Sequence, residues 1–324
     1  MMEHSDIHIL GAGSIGQLIA CHMAKAGLDP VLVVRQPGNS GRQDFSLIEE
    51  EITRSFSIRV ESLERNFRAR VVLVCVKAWQ LQQALEDIRP HLDQDAELIL
   101  LQNGMGHQQS ATAQLPGTGI ISGSVTHGAW LSAERQVVHA GHGTIMLGYR
   151  DNRLNGNFPP WFAQFENTGL NVHWSGNIDR VLWRKLAINA VINPLTLLHQ
   201  CRNGELLDQP GVAEEFSHLC REAERLLARL DYQLRESIET GAREVLRITA
   251  GNWSSMVQDY RSGKPTELEY INGYLLAEAD RLGISLSHHQ QLHERARHLL
   301  ADRDSQDRSR PAATPGNHSG RQRK

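Results

Sequence analysis

One segment of this sequence gathers polar groups where they are expensive. In Arg180-Val181-Leu182-Trp183-Arg184-Lys185-Leu186-Ala187-Ile188-Asn189-Ala190-Val191-Ile192-Asn193-Pro194-Leu195, the residues Lys185, Asn189 and Asn193 recur at i, i+4 and i+8. A helix would set all three on one face. Almost everything else from residue 186 to 198 is apolar, and polar groups in such surroundings cost free energy unless they meet polar partners. An ammonium beside two amides suits an oxygen on which negative charge develops, and the ammonium can also supply a proton. The spacing alone equally admits a Lys snorkelling at the helix edge and two Asn in an interhelical hydrogen-bond network. Pro194 cannot donate to the carbonyl of Ala190, which predicts a kink or a break there.

A second group suits phosphate. Gly11-Ala12-Gly13-Ser14-Ile15-Gly16 is a G-x-G-x-x-G placed between an apolar run, Ile7–Leu10, and a helical pattern that reaches Ala26. The first Gly permits the tight turn, the second lets a pyrophosphate approach the backbone, and the third lets helix and strand pack closely. The helix start offers free N–H groups to the phosphates. The next apolar run, Val31–Val34, ends in Arg35, with no acid before Asp44. A carboxylate at that strand end would accept from the ribose 2′-OH of NAD, whereas a guanidinium binds the 2′-phosphate of NADP. Arg35 therefore favours NADP(H).

The segment LWRKLAINAVINPLT at 182–196 resembles the signature of the ketopantoate (2-dehydropantoate) reductases. So, in the family's order, do GAGSIG at 11–16, VKAWQ at 76–80, LLQNGMG at 100–106, NGEL at 203–206, NWSSMVQD at 252–259 and TELEYINGYLL at 266–276. The stretch from Gln36 to Ala69 matches poorly, and the tail after Arg303 has no counterpart. The resemblance implies reduction of ketopantoate to D-pantoate by NADPH, on the route to pantothenate and coenzyme A, with Lys185 as the catalytic acid. It places Lys77 and Gln80 beside the cofactor, and Asn103 between nicotinamide ribose and substrate. It gives Asn189, Asn193 and Ser255 to the hydroxyl and carboxylate ends of ketopantoate. Asn252, three residues before Ser255 on an expected helix, faces the same cleft, and Glu267 completes the site. Two rival readings are a reductase of another branched 2-keto acid and a non-catalytic NADP-binding sensor.

The elements that must position these residues fall into two textures. Up to about residue 176, strand runs alternate with helical patterns, which predicts an α/β, Rossmann-type dinucleotide-binding domain whose mainly parallel sheet is covered on both faces. Residues 177–302 read as an all-helical substrate domain, with helices expected over 180–199, 212–230, 237–248, 266–282 and 286–301. In the fourth of these, Thr266 and Glu269 have capping-box spacing, with Glu267 at the first helical position. Residues 303–324 are polar and rich in Pro, Gly and Ser, the composition of a disordered tail.

Composition narrows the partners. A formal net charge of -3 gives no basic field for nucleic acid and suits a small-molecule substrate. No apolar run approaches the roughly 20 residues needed to span a bilayer, and the start lacks a secretory pattern, so a cytoplasmic monomer or homodimer is expected. Cys21, Cys75, Cys201 and Cys220 form no C-x-x-C pair and read as reduced thiols. The 16 His are scattered. Their nearest cluster, His288, His289 and His293, reads as solvated surface, and no metal is expected.

Overall fold

The computed structural model describes residues 7–35, 40–150 and 158–309. The first half alternates as its patterning requires: β1 (Ile7–Leu10), α1 (Ser14–Lys25), β2 (Val31–Val34), β3 (Gly41–Glu49), β4 (Ile52–Ser62), β5 (Ala69–Val74), α2 (Leu81–Ile88), β6 (Leu92–Leu100) and α3 (His107–Gln114). It continues through β7 (Gly119–Val125), β8 (Gly128–Ala133), β9 (Gln136–Gly141), β10 (Ile145–Gly148), α4 (Phe162–Glu166) and β11 (Val172–Trp174). These strands join in one sheet of order β11-β10-β7-β6-β5-β1-β2-β4-β3-β9-β8. Most neighbours are parallel, and β7–β10, β3–β4 and β8–β9 pair antiparallel. Successive side chains point to opposite faces. Accordingly Ile9 and Leu73 pack with Leu18 and Ile19 of α1 and Phe165 of α4, while Leu10 and Val72 pack with Leu85 of α2 and Ala111 of α3.

The hairpin β3–β4 turns through Glu50 and Glu51, both with positive φ (47° and 70°). A two-residue turn whose twist matches its strands demands that conformation, and non-glycine residues adopt it at a cost. Phe45 and Leu47 of β3 and Ile58 and Val60 of β4 alternate inward and are buried.

The second half is helical: α5 (Ile178–His199), α6 (Val212–Arg229), α7 (Ile238–Ile248), α8 (Ser255–Arg261), α9 (Tyr274–Arg281) and α10 (Ser287–Ser309). Its core forms around α5, where Leu186, Ala190 and Val191 share one cluster with Leu219, Ala242, Val257, Leu275 and Leu292.

Several expectations are corrected here. Helix α5 runs unbroken through Pro194. The Ala190 carbonyl that proline leaves without a helical donor accepts instead from Asn272 Nδ2, at 2.8 Å. That Asn lies in a π-helical stretch, Glu269–Gly273, which interrupts the helix expected over 266–282. The capping box is not made. Helical structure starts at Leu268, the Glu267 carbonyl accepts from the N–H groups of Tyr270 and Ile271, and the Glu269 carboxylate faces His293 (3.2 Å) and Arg297 (3.5 Å).

The His288, His289 and His293 group is not solvated as a whole, since His289 is 0% and His293 8% exposed. The buried Glu222 carboxylate accepts from the N–H groups of His288 (3.1 Å) and His289 (3.0 Å) and so holds the start of α10 against α6. That satisfies donors left open at a helix start. At its other end α10 continues past Arg303, whose guanidinium donates to the carbonyls of Tyr260 and Lys264. The rest of the tail, 310–324, lies outside the described residues. Among the described residues no cysteine is in a disulfide, and no helix is long and apolar enough to cross a membrane.

Candidate active site

A cleft of about 1950 Å³ lies between the sheet and the helices. Every residue assigned to the cofactor or substrate from the sequence lines it except Gly16. On the sheet side, three glycines shape the turn from β1 into α1. Gly11 has φ +105°, and a Cβ there would meet Val76 N at 3.0 Å. A Cβ on Gly16 would lie 2.0 Å from the Gly11 carbonyl oxygen, so only glycine lets α1 pack this close. At Gly13 a Cβ would meet nothing within 4 Å, and the space in front of the helix start is open to a phosphate. Arg35 caps the end of β2 and is paired with Asp87 (Nη2–Oδ2 2.9 Å) on α2. Both side chains line the cleft.

On the helix side, the row read from the sequence opens into the cleft. Lys185 Nζ donates to Asn103 Oδ1 (2.8 Å) and to the Val125 carbonyl (2.6 Å). An ammonium has three protons to donate, so one is left for a ligand. Asn103 Nδ2 in turn donates to Glu267 Oε2 (3.0 Å), and Glu267 Oε1 accepts from the Ala78 N–H (3.4 Å). The chain Lys185–Asn103–Glu267–Ala78 therefore crosses from α5 to the turn after β6, to the start of the π-helical stretch, and back to the turn after β5. Burial pulls the Lys185 ammonium down to about 8, against the opposing pull of the Glu267 carboxylate. The side-chain amides of Asn189 and Asn193 have no hydrogen-bond partner among the described residues, although Asn193 is only 6% exposed. Amides left so in an apolar wall are costly by themselves and suited to a polar ligand.

Asn252 and Ser255 both line the cleft, but not from one helix. Ser254 caps α8, accepting from the Val257 N–H (3.3 Å), and Asn252 precedes that cap in non-helical chain. Sequence reasoning passed over Asp259, which is 8% exposed and receives the Lys77 ammonium at 2.7 Å. Its signal was its place at the end of NWSSMVQD, but its partner is 182 residues away. Gln80 Oε1 accepts from the Lys77 N–H (3.1 Å) and steadies that turn. The metal expectation also missed a convergence: His22, Glu49 and His139, far apart in sequence, meet beneath α1.

The cleft thus joins a glycine turn fit for a dinucleotide to a half-buried amine and open amides. Comparison with known proteins agrees with that composition. Residues 7–152 match the family described as "Ketopantoate reductase PanE/ApbA", and residues 177–299 match "Ketopantoate reductase PanE/ApbA C terminal". A 2-dehydropantoate 2-reductase from Vibrio cholerae is 33% identical over 300 residues, which covers 91% of this chain and 97% of that protein. The solved structure of a probable 2-dehydropantoate 2-reductase from Bacillus subtilis superposes with a TM-score of 0.73 at 27% identity, covering 91% of this chain and 99% of that one. A D-mandelate dehydrogenase solved with NADH and anilino(oxo)acetate shares the fold, with a TM-score of 0.82 at 21% identity over 92% of this chain and 99% of that one. With both family models matched in order around one cleft, the chain belongs to the ketopantoate reductase family of oxidoreductases.

Proposed function

We propose that this chain reduces ketopantoate to D-pantoate with NADPH in the cytoplasm, with Lys185 as general acid. The observation that carries the reading is the Lys185 ammonium, fixed by Asn103 and Val125 with one proton left for the cleft. NADPH, when bound, supplies the hydride. Gly11, Ala12, Gly13, Ser14 and Ile15 would hold its pyrophosphate, Arg35 its 2′-phosphate, and Lys77, Gln80 and Asn103 its nicotinamide half. The open space at Gly13 and the Arg35 guanidinium on the cleft wall fit that group.

The remaining tasks fall to the helical wall. Lys185 stabilises the charge that builds on the C2 carbonyl oxygen and hands it a proton. Asn189, Asn193, Asn252 and Ser255 bind the carboxylate and hydroxyl ends of the substrate. Glu267 accepts from the substrate hydroxyl while keeping Asn103 turned toward Lys185. The pairing of Arg35 with Asp87 means that a 2′-phosphate shares the guanidinium with a carboxylate.

Steady-state turnover of a panel of 2-keto acids with NADPH and with NADH tests this reading. Ketopantoate with NADPH should give the highest kcat/KM. Arg35→Asp should raise KM for NADPH by ~10-fold or more and leave NADH nearly unaffected, since charge-assisted bonds to phosphate are worth about 1.5–3 kcal/mol. A preference for a different keto acid would move the chain to another substrate within the family. Equal use of both cofactors would remove the role of Arg35.

A further inference from the structure

His22 on α1, Glu49 at the end of β3 and His139 on β9 bring three ligand atoms together. His22 Nε2 lies 3.3 Å from Glu49 Oε1, His139 Nδ1 lies 3.3 Å from the same oxygen, and the two ring nitrogens are 3.4 Å apart. The protons on these rings are settled by what surrounds them. His22 Nδ1 faces the Thr168 carbonyl at 3.3 Å, so it carries the hydrogen and Nε2 keeps its lone pair. His127 Nε2 faces the Leu170 carbonyl at 2.8 Å, and its Nδ1 accepts from the Gly143 N–H at 3.1 Å. That Nδ1 is therefore an acceptor, and His139 Nε2, 3.0 Å from it, must donate. A neutral His139 then presents a bare lone pair at Nδ1. Two nitrogen lone pairs and a carboxylate oxygen converge with no donor supplied between them.

Three acceptors do not hold one another, but they can hold a cation. The nearly equal separations match a face of a tetrahedron, because ligands at ~2.0–2.1 Å from a zinc ion stand about 3.3–3.4 Å apart at tetrahedral angles. The surroundings have the form of outer-shell support. Each ligating imidazole donates its second N–H to a carbonyl or to another fixed ring, which sets tautomer and orientation. Lys25 holds the outer oxygen of Glu49, Oε2, at 2.7 Å, with Arg54 at 3.5 Å, so Oε1 is the oxygen turned inward. The two rings are buried, with His22 3% and His139 6% exposed. None of the three ligands lines the cleft.

We infer that His22, Glu49 and His139 form a structural site for a divalent cation of the zinc type, with water as fourth ligand, which staples α1 to the strands β3 and β9. Nitrogen with carboxylate donors at tetrahedral spacing selects Zn²⁺ over the hard, oxygen-loving Mg²⁺ and Ca²⁺. Because the ligands come from three separate elements, the unfolded chain has no such site and the ion adds to stability.

The test uses the full chain without an affinity tag, stripped with chelator and titrated with ZnCl2 by calorimetry. The wild type should bind one equivalent tightly, and its Tm should rise with zinc and not with Mg²⁺. His22→Gln, Glu49→Gln and His139→Gln should each abolish the stoichiometric binding and the Tm response, whereas His218→Gln, at a half-buried position on α6 outside the cluster, should keep both. His127→Ala, one shell out, should weaken binding by about 10–100-fold. Keto acid turnover and circular dichroism report whether each variant is folded. Should a variant fail to fold, Co²⁺ added to the wild type decides. Intense tetrahedral d–d absorption supports the site, and weak octahedral bands overturn it. Absence of stoichiometric binding, or binding unchanged in all three ligand variants, also overturns it.

Discussion

Lys185 meets Asn103 and the Val125 carbonyl, and through Asn103 it reaches Glu267. The pull of its ammonium down to about 8 by burial has a direct consequence for pH dependence. With Lys185 as the proposed acid, kcat/KM should be level below pH about 8 and fall about tenfold for each unit above it. Were the neutral amine the working form, activity would rise across that range instead, and a pH profile of kcat/KM distinguishes the two. The sequence exposed Lys185, Asn189 and Asn193 because they interrupt an apolar helix at one spacing. It did not expose on its own terms that Asn103 and Glu267 continue the hydrogen-bonded chain from Lys185. They lie 164 positions apart and came only from likeness to the family. Asp259 escaped altogether, since a single acid in an amphipathic helix looks like any solvated one until Lys77 is seen against it.

Among the elements, α5 and the π-helical stretch have to be understood together. Pro194 removes a donor from a buried turn, yet α5 continues because Asn272, 0% exposed, supplies one to the Ala190 carbonyl. Leaving that carbonyl bare should cost about 1–3 kcal/mol, so Asn272→Ala should lower the denaturant midpoint accordingly without first affecting the amide row. Unfolding in urea measures it, and a loss under about 0.5 kcal/mol would show that α5 does not depend on this bond. A proline in a helix announced trouble to the sequence reading, but the remedy lay 82 residues on. The hairpin β3–β4 was legible in principle. Phe45 and Leu47, then Phe56, Ile58 and Val60, alternate as half-buried strands do, but the many charged residues between them and a Glu-Glu turn obscured it. Capping-box spacing at Thr266 and Glu269 misled for the opposite reason: the local pattern was present, while Glu267 was drawn toward Ala78 and Asn103 and the helix began later.

Taken whole, the molecule is a sheet domain and a helical domain with the polar groups of the cleft divided between them. The alternation of strand and helix followed by unbroken helical patterns revealed this division, because each half buries its own core. The pairing of β3 with β9, and with it the meeting of His22, Glu49 and His139, had no local signal, because it joins strands distant in sequence. The polar ties Lys77–Asp259 and Glu267–Ala78 run between the two halves, and the second leads through Asn103 to Lys185. The central claim is that this cleft reduces ketopantoate with Lys185 as the acid. Its most direct test is NADPH consumption in the presence of ketopantoate by the wild type and Lys185→Ala side by side, with NADPH binding and circular dichroism measured on both. The wild type should form pantoate in step with NADPH loss, while Lys185→Ala should keep its fold and NADPH affinity and lose about 10²–10⁴-fold in kcat. A wild type that consumes no NADPH, or a folded Lys185→Ala that keeps more than about half of its kcat, far above that range, would contradict it.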